Sequence, residues 1–221
     1  MDTEVVSARL DVASDALQES TALLSVSERE QAGRLAFARD RRRFIVARAR
    51  LRQLLATRLG VRPAAIELTS GPYGKPMLAP RFRASELRFN VSHSADLAVY
   101  AFARGREIGV DVEAIRPIPD ADKISARFFS AGEAAAYAAL DAGSRPIAFV
   151  NCWTRKEAFL KALGGGLNYP LDRIEVSLAP DAPATIVRVA GTPGDACGWR
   201  LGSFTPARGF VGAVVVEQSL Q

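Results

Sequence analysis

Two short stretches decide the fold: "RPAAIELT" (Arg62–Thr69) and "YPLDRIEVS" (Tyr169–Ser177). Each sets a proline ahead of an Ile-Glu-aliphatic triplet, and each follows a long helical pattern closed by glycine. Before the first, Phe44, Ala47, Leu51, Leu54, Leu55 and Leu59 recur at three- and four-residue steps up to Gly60. Before the second, a helix runs from about Pro146 to Leu163 and stops at Gly164–Gly166. Outward from these anchors the two halves share one order. "TEVVSARLDV" opens the chain as a strand, and Ser27 with Glu30 forms a capping box for the helix that follows. Short strands are expected at Ile66–Thr69, Leu87–Val91 and Leu97–Ala103, with "SGPYGKPML" (Ser70–Leu78) as loop between them. The second half restarts with the strand "IGVDVEAI" (Ile108–Ile115) and continues into helices, one capped by Ser130 with Glu133 three residues on. It closes with strands at Arg173–Leu178, Thr185–Ala190, Trp199–Phe204 and Phe210–Glu217. The pattern predicts an internal duplication of two α+β halves, residues 1–105 and 106–221, with a site between them.

Composition narrows the class. With 221 residues, 48% hydrophobic and 24% charged, the chain has the makeup of an ordinary globular protein. No apolar run reaches the length of a membrane span, and "MDTEVVSARL" has neither a basic n-region nor an apolar core, so a cytoplasmic, membrane-free protein is expected. Cys152 and Cys197 make no disulfide framework or metal cluster and read as small core residues. The net charge of +5 is uneven: ten arginines stand against Glu30 and Asp40 between Arg29 and Arg58. That run fits an acidic partner, a phosphate ligand or a solvated helix face. A nucleic-acid-binding module is the rival from another class, but the segment offers only Phe37 and Phe44 for base stacking. Lysines are scarce, only Lys75, Lys123, Lys156 and Lys161, which hints that each stands where an ammonium serves better than a guanidinium.

In "IGVDVEAI" the alternation turns Asp111 and Glu113 to one face, about 6.6 Å apart along the strand. A solvated face would leave that pair unremarkable, whereas a pocketed one would need something positive between the charges. "FVNCWTRKEAFLKALGGGL" (Phe149–Leu167) supplies a third carboxylate. Val150, Trp153 and Leu160 share one helical arc, Glu157 lies inside it, and Lys161 is one turn on. A surface Glu–Lys pair is the bland alternative, disfavoured by the apolar arc. Three oxygen donors suit a hard cation such as Mg²⁺ with room left for substrate phosphates. "FNVSHSAD" places Ser92 and His93 in a turn just beyond a strand, "YGKP" sets Lys75 on a glycine-containing loop, and Arg41, Arg42 and Arg43 open a helix. Together these point to Mg²⁺-dependent chemistry on a phosphate ester or anhydride. Removing any one of three clustered acids is expected to relieve repulsion.

"GVDVE", "RFFSAGE" (Arg127–Glu133) and "WTRKEAFLKALGGGL", preceded in order by "DRRRF", "YGKP" and "FNVSHS", resemble the 4′-phosphopantetheinyl transferases, specifically the surfactin-synthetase-activating (Sfp-type) branch. The likeness runs from about Ser27 to Leu178, and the Gly-x-Asp-x-Glu and Trp-x-x-Lys-Glu-x-x-x-Lys pair is its specific part. The resemblance implies a pseudo-dimer of two α+β halves and transfer of the phosphopantetheine arm of coenzyme A to a serine of an acyl or peptidyl carrier protein, releasing adenosine 3′,5′-bisphosphate. By the same likeness Asp111, Glu113 and Glu157 hold Mg²⁺ and are joined by Lys161 in catalysis. Arg43, Lys75, Ser92 and His93 contact nucleotide and phosphates. Gly74, Pro76, Asn90 and Val91 line that pocket through their backbone. The protein is expected to act as a monomer, without nucleic acid, on carrier domains that are acidic beside the modified serine.

Overall fold

A computed structural model describes residues 3–71, 74–164, 169–190 and 198–218. The first half runs β1 (Thr3–Arg9), α1 (Ser14–Leu23), α2 (Val26–Gly33), α3 (Ala38–Leu59), β2 (Leu68–Ser70), β3 (Pro76–Leu78), β4 (Leu87–Ser94) and β5 (Leu97–Arg104). The second runs β6 (Ile108–Ala114), α4 (Ala121–Phe128), α5 (Ala131–Ala138), α6 (Arg145–Leu163), β7 (Ile174–Val176), β8 (Ile186–Val189), β9 (Trp199–Phe204) and β10 (Phe210–Glu217). The succession is the same in both: a strand, three helices, a two-stranded hairpin and two closing strands. The sheets repeat as well. In each, the first strand pairs with the last and the last with the one before it, giving β1-β5-β4 and β6-β10-β9, all antiparallel.

The echo that opened the sequence reading is structural. Pro63–Ala65 and Leu171–Arg173 each form a single 3₁₀ turn, and β2 and β7 follow as the first strands of matching hairpins. The duplication also extends to buried charge. In the first half Ser25 and Glu28 form a capping box on α2, and Glu28 pairs with Arg52 of α3, whose Nη2 donates to the Ile66 carbonyl at 2.8 Å. In the second, Ser130 and Glu133 form a capping box on α5, and Glu133 pairs with Lys156 of α6 while accepting from the Val176 N–H at 2.8 Å. Each half thus ties its middle helix, its long helix and its hairpin together through one buried acid–base pair.

The structure corrects four sequence expectations. The α2 capping box is Ser25/Glu28 rather than Ser27/Glu30, because Glu28 is the acid that Arg52 holds inside. "SVSERE" fits both registers, and only the tertiary pair selects one. An additional helix, α1, precedes α2. Part of the expected loop, Pro76–Leu78, is strand paired with β2. Ser92 and His93 lie within β4 rather than in a turn beyond it, since β4 stays paired with β5 as far as Ser94↔Leu97.

The long helices end where expected. Gly60 and Gly164 adopt the left-handed C-cap conformation with φ of 66° and 70°; Gly165 and Gly166 lie outside the described residues. Three apolar clusters fill the molecule. One packs α3 on the first sheet around Leu55 and Tyr100, and one packs α6 on the second around Phe159 and Ile174. The third lies between the sheets and joins Leu97, Val99 and Ala101 of β5 to Ile108, Val110 and Val112 of β6. Cys152 is buried in the second cluster, as a small core residue should be, while Cys197 lies outside the described residues. Among the described residues no helix is long and apolar enough to cross a membrane.

Candidate active site

Strand β6 has two faces. Ile108, Val110 and Val112 point between the sheets, which leaves Gly109, Asp111 and Glu113 facing α6. Gly109 explains how closely the helix lies: a Cβ there would collide with the backbone of Ala158 and Ala162. Gly109 therefore lets α6 press backbone-close onto β6. One strand register along, Glu157 and Lys161 come to lie over Asp111. Asp111, Glu113, Glu157 and Lys161 line one pocket of about 280 Å³, with Trp153, Ser92 and His93 completing its wall.

Within it the Lys161 ammonium donates to Asp111 Oδ1 at 2.6 Å and to the Ser92 hydroxyl at 3.0 Å, and Ser92 itself donates to Asp111 Oδ1 at 2.7 Å. The second oxygen, Asp111 Oδ2, is buried without a hydrogen-bond partner. Burial, reinforced by the Asp111 and Glu113 charges, raises the Glu157 pKa above its ordinary 4.5. Burial raises that of Glu113 too, although the Ser94 hydroxyl opposes the shift. Among the described residues no three carboxylate, imidazole or thiol groups converge as a metal-binding set. The positive charge against Asp111 is the lysine's own.

The remaining predicted residues fall into separate places. His93 and Val91 stand at the junction between this pocket and a larger one of about 870 Å³, which Arg43 and Pro76 also line. Burial and the neighbouring Lys161 charge lower the His93 pKa from 6.5, so the imidazole is neutral at pH 7. Arg43 is engaged in the free protein by both oxygens of Asp11, at 2.8 and 2.7 Å. Gly74, with φ of 74°, faces a third pocket of about 610 Å³ beside α2. Lys75 reaches across the halves to the Lys161 carbonyl at 2.7 Å, and burial is the first cause of its lowered pKa. Asn90 is expected to line the nucleotide and phosphate pocket through its backbone, and its side chain has a separate task. Its side chain is buried and accepts from the Val110 N–H at 3.0 Å, so it joins β4 to β6.

The sequence reading passed over Gly109, Trp153 and Ser94. Gly109 had a legible signal, since it shares the alternating face of Asp111 and Glu113. Trp153 was taken as apolar arc, and it stacks on Phe149 while its edge lines the pocket. The arginine run divides: Arg43, Arg48, Arg52 and Arg58 pair with Asp11, Glu28, Glu28 and Glu4, whereas Arg29, Arg34, Arg39, Arg41, Arg42 and Arg50 are exposed.

A lysine and three acids thus line one pocket at the junction of the duplicated halves, and the comparisons with known proteins give the family. The profile of the 4′-phosphopantetheinyl transferase superfamily matches residues 107–215, and that of a 4′-phosphopantetheinyl transferase N-terminal region matches residues 12–104. The 4′-phosphopantetheinyl transferase HetI of Nostoc sp. is 38% identical over 207 residues, covering 94% of this chain and 84% of that one. The 4′-phosphopantetheinyl transferase Sfp of Bacillus subtilis is 30% identical over 163 residues, covering 74% and 70%. The L-aminoadipate-semialdehyde dehydrogenase-phosphopantetheinyl transferase of Homo sapiens is 32% identical over 166 residues, covering 69% and 52%. The chain belongs to the 4′-phosphopantetheinyl transferase superfamily. It is an enzyme of that class, passing the phosphopantetheine arm of coenzyme A to a carrier protein.

Proposed function

We propose that this enzyme works as a monomer with Mg²⁺, transferring the arm to a serine hydroxyl of an acyl or peptidyl carrier protein and releasing adenosine 3′,5′-bisphosphate. The observation that carries the metal reading is the unpartnered, buried Oδ2 of Asp111 in a pocket shared with two further carboxylates whose pKa values are raised. An isolated buried carboxylate oxygen is costly, and a cation would satisfy it. Asp111, Glu113 and Glu157 would hold Mg²⁺, an oxygen-only set suited to a hard ion that keeps water or phosphate in its other positions. When bound, it would neutralise charge on the pyrophosphate of coenzyme A.

The chain's own residues supply the rest. A serine hydroxyl is a weak nucleophile, and Glu157, directly or through a metal-bound water, would accept that proton. Lys161 stands beside the same pocket and would stabilise charge gathering on the leaving phosphate, or protonate it. Arg43, Lys75, Ser92 and His93, with Gly74, Pro76 and Val91, would receive the nucleotide and phosphates across the two adjoining pockets. Binding there requires Arg43 to exchange Asp11 for phosphate, and Lys75 to exchange the Lys161 carbonyl.

Intact-mass spectrometry tests the reading. Apo-carriers from fatty-acid, polyketide and nonribosomal-peptide systems are incubated with enzyme and coenzyme A, with Mg²⁺ or with EDTA. The expected result is a mass gain of one phosphopantetheine arm on the carrier serine, abolished by EDTA. Transfer undiminished in EDTA would overturn the metal assignment, and release of adenosine bisphosphate with no modified carrier would point to a hydrolase.

A further inference from the structure

We infer that Ser94 is a positioning residue for the reaction: its hydroxyl sets the carboxylate of Glu113 in the orientation in which it serves the metal. The inference rests on the proposal that Glu113 is a metal ligand.

The argument starts from how the two halves meet. Strands β4 and β6 lie side by side but are not paired through a backbone ladder, since each is hydrogen-bonded in its own sheet to β5 or β10. Side chains from alternate residues of β4 bridge the gap. Asn90 Oδ1 accepts from the Val110 N–H at 3.0 Å, Ser92 donates to Asp111 Oδ1 at 2.7 Å, and Ser94 donates to Glu113 Oε2 at 2.7 Å. The partners ascend together along both strands, so β4 and β6 run in the same direction. Each carboxylate of β6 is met by the hydroxyl nineteen residues earlier.

The two hydroxyls differ in what else they do. Ser92 also accepts from the Lys161 ammonium and faces the pocket. Ser94 does not touch the Lys161 ammonium; it lines the larger pocket of about 870 Å³ instead. Its oxygen accepts from the Ala114 N–H at 3.2 Å, and its single proton goes to Glu113. With its acceptor side held by the backbone of β6, the hydroxyl can aim its proton only along the bond it makes. Glu113 lies near the end of β6 and is half-buried; its long side chain has torsions that the strand alone does not fix. Fixing Oε2 leaves Oε1 for the pocket, where among the described residues no hydrogen bond claims it. Outer hydrogen bonds of this kind orient metal ligands, and their loss costs about 10- to 100-fold in metal affinity.

The test uses the full chain, Mn²⁺ as a spectroscopic probe and Mg²⁺ in turnover. Ser94→Ala removes the proton donor, whereas Ser94→Thr keeps the hydroxyl on a residue that strands accept readily. For Ser94→Ala, electron paramagnetic resonance titration of the free protein is expected to show Mn²⁺ binding weakened about tenfold or more. Half-saturation of transfer by Mg²⁺ should move with it, by a larger factor than the KM for coenzyme A and beyond what any change in the thermal midpoint explains. Ser94→Thr should recover most of the affinity. Wild-type Mn²⁺ affinity in Ser94→Ala would overturn the role of Ser94 and leave the metal reading standing. A thermal midpoint that falls in step with metal affinity, unrescued by threonine, would make Ser94 structural only. If the wild-type enzyme binds no divalent ion and transfers without one, the metal reading fails and this inference fails with it.

Discussion

The Lys161 ammonium stands 2.6 Å from Oδ1 of Asp111 and 3.0 Å from the Ser92 hydroxyl, bridging the long helix of one half to strands of both. Lysine therefore supplies, in the free protein, the counter-charge that the strand carboxylates require. Asp111 is thus paired on one oxygen and bare on the other.

Lys161→Met separates attraction from competition. Removing a like charge within a few ångströms of the site should tighten Mn²⁺ binding by the free protein about tenfold. Transfer should still fall by at least about a hundredfold, since a donor aimed at developing charge is lost. A titration of Mn²⁺ binding beside carrier mass analysis measures both. Weakened binding would mean that Lys161 organises the acids rather than competing for them.

Lys161→Arg keeps the charge but replaces a compact ammonium with a planar group that does not give up a proton. If Lys161 protonates the leaving phosphate, kcat should collapse with little change in KM. A near-normal kcat would exclude proton donation and leave an electrostatic role.

The acids should divide when their stability is measured, against the expectation that removing any of them relieves repulsion. Both Asp111→Ala and Glu157→Gln are expected to abolish transfer. Asp111, however, is 4% exposed and holds Lys161 and Ser92, so Asp111→Ala strands both partners and should cost about 2 kcal/mol. Glu157 is different: its folded pKa lies above the unfolded 4.5, so the fold favours its neutral form. That contribution is fully present below about pH 4.5 and is lost as pH rises through the folded value. Glu157→Gln should therefore be more stable than wild type at pH 7, with the advantage vanishing in acid. Urea denaturation at pH 7 and pH 4 measures it; an advantage that grows in acid would contradict the sign.

Much of this arrangement was legible in the sequence. The duplication was visible in the Pro63 and Pro170 echo, because a proline-led 3₁₀ turn before a short strand is a local signal. The shared face of Asp111 and Glu113 followed from strand period alone. What stayed hidden was set by partners far away in sequence. Glu28 and Glu30 are equivalent until Arg52, 24 residues on, selects one. Asn90 looks like an ordinary polar strand residue and Ser94 like loop polarity until β6 is laid beside β4. Lys156 of the Trp-x-x-Lys-Glu stretch reads as one more helix charge. In the structure it is buried against Glu133, its Nζ also donating to the Phe128 and Leu171 carbonyls.

That buried pair makes its own prediction. Lys156→Met leaves the Glu133 charge uncompensated at the junction of α5, α6 and β7, where the Ser130 and Val176 N–H groups and the Cys152 thiol still serve it. The expected loss is about 3 kcal/mol, well above the ~1 kcal/mol typical of surface pairs such as Lys123–Asp120. Chemical denaturation of Lys156→Met beside Lys123→Met decides it. Equal, small losses for both would show that the remaining neutral donors suffice for Glu133.

Salt should distinguish the two substrates. The chain carries a net charge of +5, and its outer arginines, including Arg39 and Arg41, are exposed, whereas the Lys75 ammonium is held across the halves on the Lys161 carbonyl and His93 lines the pocket. Carriers of the kind the family modifies are expected to be acidic beside their serine, so exposed arginines would steer the encounter. That attraction weakens as the screening length falls to about 8 Å near physiological ionic strength, while partly buried contacts are screened less. Raising salt from low to high should therefore increase the apparent KM for the carrier more steeply than that for coenzyme A, with kcat little changed. Initial rates over a salt series, with each substrate varied in turn, measure both slopes. Parallel slopes would remove the case for steering, and a carrier KM indifferent to salt would assign docking to the exposed apolar residues near the arginines, Phe37 first among them at 70% exposure.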